Sequence, residues 1–147
     1  MEIKISGRTL LFPHSKLEPR PKAGDLIRRV LVDQELSREA VTYVLESGKS
    51  GAVHIEQVLE YNQDPSYVRD ALLYKLTIEA QKRVDQSALS KREIIRRLGT
   101  SATQLYRLLD QTNYRKSVDQ MLLLLCVLDC VVDLAVRTRN DRHTQAA

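Results

Sequence analysis

The stretch LSKREIIRRLGTSATQLYRLLD, residues 89–110, says most about the fold of this chain. Its apolar residues recur every three or four positions on both sides of Gly99, which is typical of two short amphipathic helices. Ser90 and Ser101 each precede a Glu or Gln by three residues, and this spacing predicts a capping box at the start of each helix. Because glycine readily adopts the left-handed backbone that ends a helix, we expect a sharp turn at Gly99.

A third helix is predicted to follow this pair, from Ser117 to Leu128, because Ser117 has the same cap spacing to Gln120. In the second helix of the pair the leucines share one face, so the residues between them are expected to point outward. These outward candidates are Thr103, Gln104, Tyr106 and Arg107.

The basic charge of the chain is concentrated in the same segment. Residues 89–116 hold seven Lys and Arg against two acidic residues, a net charge of +5, whereas all 147 residues together carry +4. A basic segment on a near-neutral body predicts a surface that binds phosphate groups. The alternative is that these cations are ordinary solvated residues on exposed helix faces.

The segment from Leu89 to about Leu134 resembles the lambda-repressor-like (Xre/Cro) helix-turn-helix family, including its antitoxin variants. The family's common Leu-Thr-Gln opening corresponds to Leu89-Ser90-Lys91 in this chain. The resemblance implies a positioning helix over 90–98, a recognition helix over 101–110 and a closing helix over 117–128. It also implies that the segment binds double-stranded DNA.

A recognition helix in the major groove reads base edges through its outward side chains. Arg107 is expected to contact a guanine, because arginine is the commonest partner of that base. Two roles stay open for Gln104, an adenine contact or a capping bond to the Ser101 amide. Two also stay open for Tyr106, a sugar-phosphate contact or packing beneath the helix. Ala102, where the family often has a polar residue, could touch only a thymine methyl group.

Phosphate contacts are expected from Lys91 and from the loop before the third helix, because helix N-termini present free amides to anions. The candidate DNA-binding residues are Lys91, Ser101, Ala102, Thr103, Gln104, Tyr106, Arg107, Tyr114, Arg115, Lys116 and Ser117.

The N-terminal part has a weaker pattern. Alternating apolar and polar residues over 1–12 predict a hairpin, and the proline-rich segment 13–21 predicts an extended surface connector. Helices are predicted over Gly24–Gln34, over Ser37–Glu46 with Ser37 as cap, and over Ala52–Tyr61.

The dipeptide Asp64-Pro65 predicts the start of the longest helix, which extends to about Gln86. Its Val68, Leu72, Leu76, Ala80 and Val84 form an apolar stripe at four-residue spacing.

The C-terminal part bears on assembly. Residues Met121–Leu128 are apolar nearly all round, so this helix either lies in the domain core or has one face at a dimer interface. Residues Cys130–Val136 alternate in character and predict a strand. The polar residues 137–147 are expected to fray.

We therefore expect a mainly α fold, a helical bundle with a lambda-repressor-like helix-turn-helix, a small N-terminal hairpin and a C-terminal strand. The predicted domains are 1–64 and 65–136, followed by a flexible tail over 137–147. Charged residues interrupt every apolar stretch, so neither a signal peptide nor a membrane span is expected, and the protein is placed in the cytoplasm.

Nothing in the sequence matches a nucleophile elbow, a phosphate-binding loop or clustered metal ligands, so we expect no enzymatic activity, no cofactor and no metal. Cys126 and Cys130 are interpreted as small buried hydrophobic residues.

The favoured function is a DNA-binding transcriptional repressor that reads a palindromic operator as a homodimer. The alternative is an antitoxin-type protein whose N-terminal region neutralises a toxin-like partner while the DNA-binding part regulates its own operon. A third possibility, a helix-turn-helix that has lost DNA binding, would require acidic residues at the outward positions.

Overall fold

A computed structural model describes residues 1–34 and 38–138 of the protein. The chain divides into two units between Asp70 and Ala71. This boundary falls inside the long helix that was predicted to open the second domain.

The first unit contains two antiparallel sheets and one helix. Its elements are β1 (Glu2–Ile5), β2 (Arg8–Leu11), a 3-10 turn (His14–Lys16), β3 (Ile27–Val32), β4 (Ala40–Leu45), β5 (Ser50–His54) and α1 (Ile55–Asn62). β1 and β2 form the predicted N-terminal hairpin, which is confirmed. The other three strands form a second sheet in the order β3-β4-β5.

The three-stranded sheet shows that the mainly α class is wrong. The predicted helices Gly24–Gln34 and Ser37–Glu46 are wrong as well, because these segments supply β3 and β4. β-Branched and aromatic residues make up three of the six residues of β3 and four of the six of β4, and such residues favour the pleated backbone of a sheet. The predicted cap Ser37 lies outside the described residues. The predicted helix Ala52–Tyr61 begins only at Ile55, since the residues before it pair with β4.

The core of the first unit lies between the sheet, the hairpin and α1. Its buried members are Phe12, Leu17, Tyr43, Leu45, Val53 and Val58. The Tyr43 side chain is fully buried, and its hydroxyl donates a 2.8 Å hydrogen bond to the Pro19 carbonyl. The proline-rich segment therefore does more than connect over the surface, because it supplies Leu17 to the core and an acceptor to Tyr43.

Helix α2 (Pro65–Gln86) is confirmed from its predicted start to its predicted end. Asp64 caps it, accepting a 3.2 Å hydrogen bond from the Tyr67 amide. The other carboxylate oxygen of Asp64 accepts from the Arg8 guanidinium, and this contact lowers the pKa of the Asp64 carboxyl.

The second unit is helical, with α3 (Lys91–Leu98), α4 (Ala102–Leu109) and α5 (Val118–Val127) packed with part of α2. The buried face of α2 consists of Leu73, Thr77, Ala80 and Val84. The predicted stripe is therefore wrong at Leu72, which is 43% exposed. A stripe at strict four-residue spacing winds around a helix of 3.6 residues per turn, so the core uses mixed spacing instead.

Three residues of α5, Met121, Leu124 and Leu125, are buried in the core of this unit, and Leu123 is 53% exposed. The predicted strand Cys130–Val136 is wrong, since residues 131–138 form no strand. A strand needs a hydrogen-bonded neighbour, and none of the described segments pairs with this one.

Cys126 is exposed and Cys130 is half-buried, so the interpretation of both as buried hydrophobic residues is wrong for Cys126. Most of the predicted fraying tail, residues 139–147, lies outside the described residues. Within the described ranges, no helix combines the length and the apolar character that crossing a bilayer requires.

Candidate nucleic-acid interface

The turn between α3 and α4 has the predicted geometry. Gly99 has φ 64° and ψ 36°, the left-handed conformation, and its amide bonds to the Arg96 carbonyl at 3.1 Å. The Thr100 amide reaches back to the Ile95 carbonyl at 3.3 Å. This pair of backward bonds ends α3 and directs the chain immediately into α4.

All three predicted caps form, but only one capping box is reciprocal. The hydroxyls of Ser90, Ser101 and Ser117 each accept the backbone amide three residues later. At Ser117 the Gln120 side chain also returns to the cap amide at 3.0 Å. The Gln104 side chain forms no such bond, which leaves its amide group for other partners.

The two faces of α4 are clearly divided. Leu105 is fully buried and Leu108 is 7% exposed, so they fix the helix in the core. The other face is open, with Tyr106 58% exposed and both Thr103 and Arg107 exposed. Ala102 and Ser101 are also exposed at the start of the helix, and Gln104 is half-buried.

Side chains from outside α4 bind the carbonyl groups at its end. The Lys116 ammonium donates 2.8 Å hydrogen bonds to the carbonyls of Leu108 and Asp110. Asn113 donates to the Arg107 carbonyl at 3.2 Å. In addition, the Gln81 side chain of α2 donates to the Leu109 carbonyl at 2.7 Å. The carbonyls of residues 107–110 thereby all receive a side-chain donor. Two of them also accept a backbone amide, Arg107 from Asp110 and Asp110 from Asn113.

Lys116 therefore differs from its predicted role. Its side chain is only 4% exposed, and burial lowers the pKa of its ammonium group, an effect that nearby Asp110 partly opposes. The ammonium is directed at helix carbonyls, so it does not extend into solvent where a phosphate would lie. Its positive charge at the C-terminal end of α4 is electrostatically favourable.

One carboxylate of α3, that of Glu93, pairs with two of the four cations of the helix. Glu93 accepts a 2.9 Å hydrogen bond from Arg96 Nε and a 3.0 Å bond from Arg97 Nε. These bonds lower the pKa of the Glu93 carboxyl to about 2. Two of the seven cations in residues 89–116 are therefore held by Glu93, and a third, Lys116, is buried.

Arg107 and Arg115 have no ion-pair partner among the described residues. Asp110 would be the natural partner of Arg107 at three-residue spacing, but its carboxylate instead accepts from the Thr112 amide at 2.9 Å and hydroxyl at 2.7 Å. Both guanidinium groups border a polar concavity of about 490 Å³ between α4, the following loop and the start of α5. Gln104 lies in the same concavity.

Lys91, at the start of α3, contacts the ring of Tyr106 on α4. The Lys91 ammonium lies 5.5 Å from the centroid of the Tyr106 ring, within the range of a cation–π contact. Lys91 is exposed, so this contact holds its charge beside the open face of α4. Tyr114, Arg115 and Ser117 are exposed in the loop that leads to α5.

The sequence did not identify Gln81 and Asn113 as anchors of α4. Asn113 stands a few residues beyond the helix, where side chains commonly bind its last carbonyls. Gln81 gives no comparable signal, because its contact depends on how α2 packs against α4.

Comparison of the chain with protein-family models, with curated proteins and with solved structures found no significant match. The functional assignment therefore rests on the geometry of α3, α4 and the loop that follows.

Proposed function

We propose that the second unit binds double-stranded DNA with α4 in the major groove, and that the protein is a sequence-specific transcriptional repressor. One observation carries this proposal. The open face of α4 presents Thr103 and Arg107, an arginine without an ion-pair partner among the described residues, on a helix whose opposite face is buried. A recognition helix needs this combination of fixed backbone and free polar side chains.

The chemistry of the open face fits base recognition. The Arg107 guanidinium can donate two parallel hydrogen bonds to the O6 and N7 acceptors of a guanine. Gln104, whose amide does not close a capping box, suits the N6 and N7 edge of an adenine. Thr103 and Ala102 offer methyl groups to a neighbouring thymine.

Phosphate contacts flank this helix in the proposal. Lys91 lies beside the Tyr106 ring of α4 and Arg115 lies in the loop that follows α4, and both residues are exposed. Together with the free amides at the starts of α3 and α5, they would fix the register of α4 along the groove. Lys116 has no place among these contacts, because its ammonium is buried at the end of α4.

We also propose that the protein acts in the cytoplasm as a homodimer on a palindromic operator. A helix-turn-helix protein commonly reads two half-sites related by the two-fold axis of its dimer. Helix α5 buries three of its apolar residues within its own unit, so only a small exposed apolar face remains on it as a candidate dimer contact. No cofactor takes part in the proposed binding.

The test is selection of binding sites from random duplexes with the purified full-length chain, followed by fluorescence anisotropy on selected and scrambled duplexes. Arg107→Ala is expected to lose about 1–3 kcal/mol on the selected site and much less on scrambled DNA. Arg83→Ala removes an exposed arginine of α2 that pairs with Glu79, and it serves as the matched control. Failure to enrich any sequence would contradict the proposed specificity, and equal losses on both duplexes would make Arg107 a phosphate contact.

A further inference from the structure

Strand β3 forms an edge of the three-stranded sheet. It pairs with β4 on one side, and no described residue pairs with its outer side. A β-bulge lies between Ile27 and Arg29, so regular pairing resumes at Arg29 and extends to Val32. The Asp33 amide continues this pairing with a 2.9 Å bond to the Ala40 carbonyl. The five residues 29–33 therefore offer a regular backbone edge to another strand.

The three central side chains of this edge are apolar and solvent-exposed, and Arg29 and Asp33 flank them. Val30 is 49% exposed, Leu31 is 42% exposed and Val32 is 54% exposed. Natural proteins usually protect such edges with charges, prolines or bulges, because an exposed apolar edge recruits further strands. Here the bulge at Arg28 and the charges of Arg29 and Asp33 lie at the two ends of the edge, and the apolar centre Val30–Val32 between them stays exposed. A further strand paired with this edge would cover these exposed apolar residues.

The sequence of the edge is complementary to itself. In an antiparallel pair with a two-fold axis at Leu31, Leu31 faces Leu31 of the second copy. Val30 then faces Val32 of that copy, and Arg29 faces Asp33, an opposite charge. Because side chains alternate between the two faces of a strand, the leucine pair and both Arg–Asp pairs lie on one face and the valines on the other.

The valine face borders an open cleft. Val30 and Val32 line a cleft of about 460 Å³, together with Ile3, Ile5, Val41 and Val53. Addition of a strand at β3 would place the valines of the second copy beside this apolar lining and remove it from water.

We infer that β3 pairs antiparallel with β3 of a second copy of this chain, about a two-fold axis at Leu31, and makes one continuous six-stranded sheet. The occupant is a second copy because both charges needed to flank the apolar centre are already present in the strand, at Arg29 and Asp33. An unrelated peptide would need a basic residue before, and an acidic residue after, its own apolar centre. This inference assigns a surface to the proposed homodimer. It rests on the proposed function only where dimerisation would affect DNA binding.

Sedimentation equilibrium of the full chain without DNA tests the pairing over a wide concentration range. The wild-type chain should approach twice the mass of the monomer. Leu31→Lys places like charges directly opposite each other on the axis and should weaken association by at least about ten-fold. Leu11→Lys changes another exposed strand leucine, 59% exposed and outside the edge, and should associate like wild type.

A charge exchange tests the register. Arg29→Asp alone and Asp33→Arg alone should each weaken association of the variant with itself. An equimolar mixture of the two should restore dimers, because each strand then finds an opposite charge at both positions. Thermal unfolding followed by circular dichroism checks each variant for folding. If Asp33→Arg fails to fold, Leu31→Lys and Arg29→Asp still decide the question.

Three results would overturn the inference. The first is a wild-type chain that stays monomeric at every concentration. The second is a folded Leu31→Lys variant that dimerises like wild type. The third is loss of the dimer in Leu123→Lys, on the exposed face of α5, while Leu31→Lys stays dimeric, which would place the contact on α5. Since DNA is absent, none of these results depends on whether α4 binds it.

Discussion

The Lys116 ammonium lies 2.8 Å from the Leu108 carbonyl and 2.8 Å from the Asp110 carbonyl, inside the second unit. A basic residue that the charge pattern predicts on a phosphate-binding surface thus anchors the end of α4, the proposed recognition helix. Lys116 therefore holds the helix, whereas Arg107 is exposed on it and is the proposed base contact.

Replacement of Lys116 by methionine should destabilise the second unit. The substitution keeps an apolar stem but removes a donor from the Leu108 carbonyl and one of the two donors from the Asp110 carbonyl, which keeps its bond from the Asn113 amide. The expected loss is about 1–3 kcal/mol in the free energy of unfolding. Urea denaturation measures it, with Lys75→Met, an exposed position on α2, as control. Unchanged stability in the Lys116 variant would show that the ammonium contributes nothing to the end of α4.

Replacement of Arg115 by alanine should weaken DNA binding equally on all sequences. Arg115 is exposed beside the polar concavity and is proposed to meet a phosphate, so its loss should reduce the salt dependence by about one unit of log–log slope. Anisotropy titrations at several salt concentrations measure the slope. A change of base preference in this variant would instead make Arg115 a base contact.

Acidification should neutralise Glu93 only at low pH. Its hydrogen bonds from Arg96 and Arg97 lower the pKa of the carboxyl from its ordinary value of 4.5 to about 2. Because the folded pKa is the lower one, the stabilisation is present above pH 4.5 and is lost as the pH falls toward 2. NMR titration of the Glu93 carboxyl should give a midpoint near the lower value, whereas a midpoint near 4.5 would exclude persistent contacts in solution.

The contacts of Glu93 also predict that the stability of Glu93→Gln depends on pH differently from that of wild type. Glu93→Gln should lose less of its stability than wild type between pH 4.5 and 2, because it has no carboxylate to protonate at this position. Thermal unfolding over this pH range measures the difference, and Glu79→Gln on α2 provides a control for removing an exposed carboxylate. Parallel pH profiles for wild type and Glu93→Gln would contradict the prediction.

Replacement of Gly51 by alanine should destabilise the first unit. Gly51 faces Tyr43 across the sheet, and an added Cβ would overlap the Tyr43 ring and the Glu18 carbonyl. Overpacking against a fully buried ring costs about 1–3 kcal/mol. Thermal unfolding measures the loss, and Ser50→Ala at the exposed neighbouring position should have a small effect. An equal melting temperature for both variants would show that the ring moves without cost.

The elements that could be predicted from the sequence are those whose signals are local. The serine caps, Gly99 and the spacing of leucines act within one or two helical turns, so the helices α2 to α5 and the turn between α3 and α4 could be predicted from residues close together in the chain. The hairpin at the N-terminus is also local, since a tight turn joins its two strands.

The tertiary structure decided what depends on distant partners. Residues 27–32 and 40–45 are rich in β-branched residues, but the cap and stop signals next to the second segment also suit a helix. Their pairing with each other and with β5 fixes them as strands. By the same physics, residues 130–136 alternate like a strand but find no described neighbour to pair with. Charge counting could not reveal that Lys116 is buried, because burial follows from the path of the loop around the end of α4. Periodicity and capping depend on residues that are close together in the sequence, whereas strand pairing and burial depend on contacts between residues that are far apart in it.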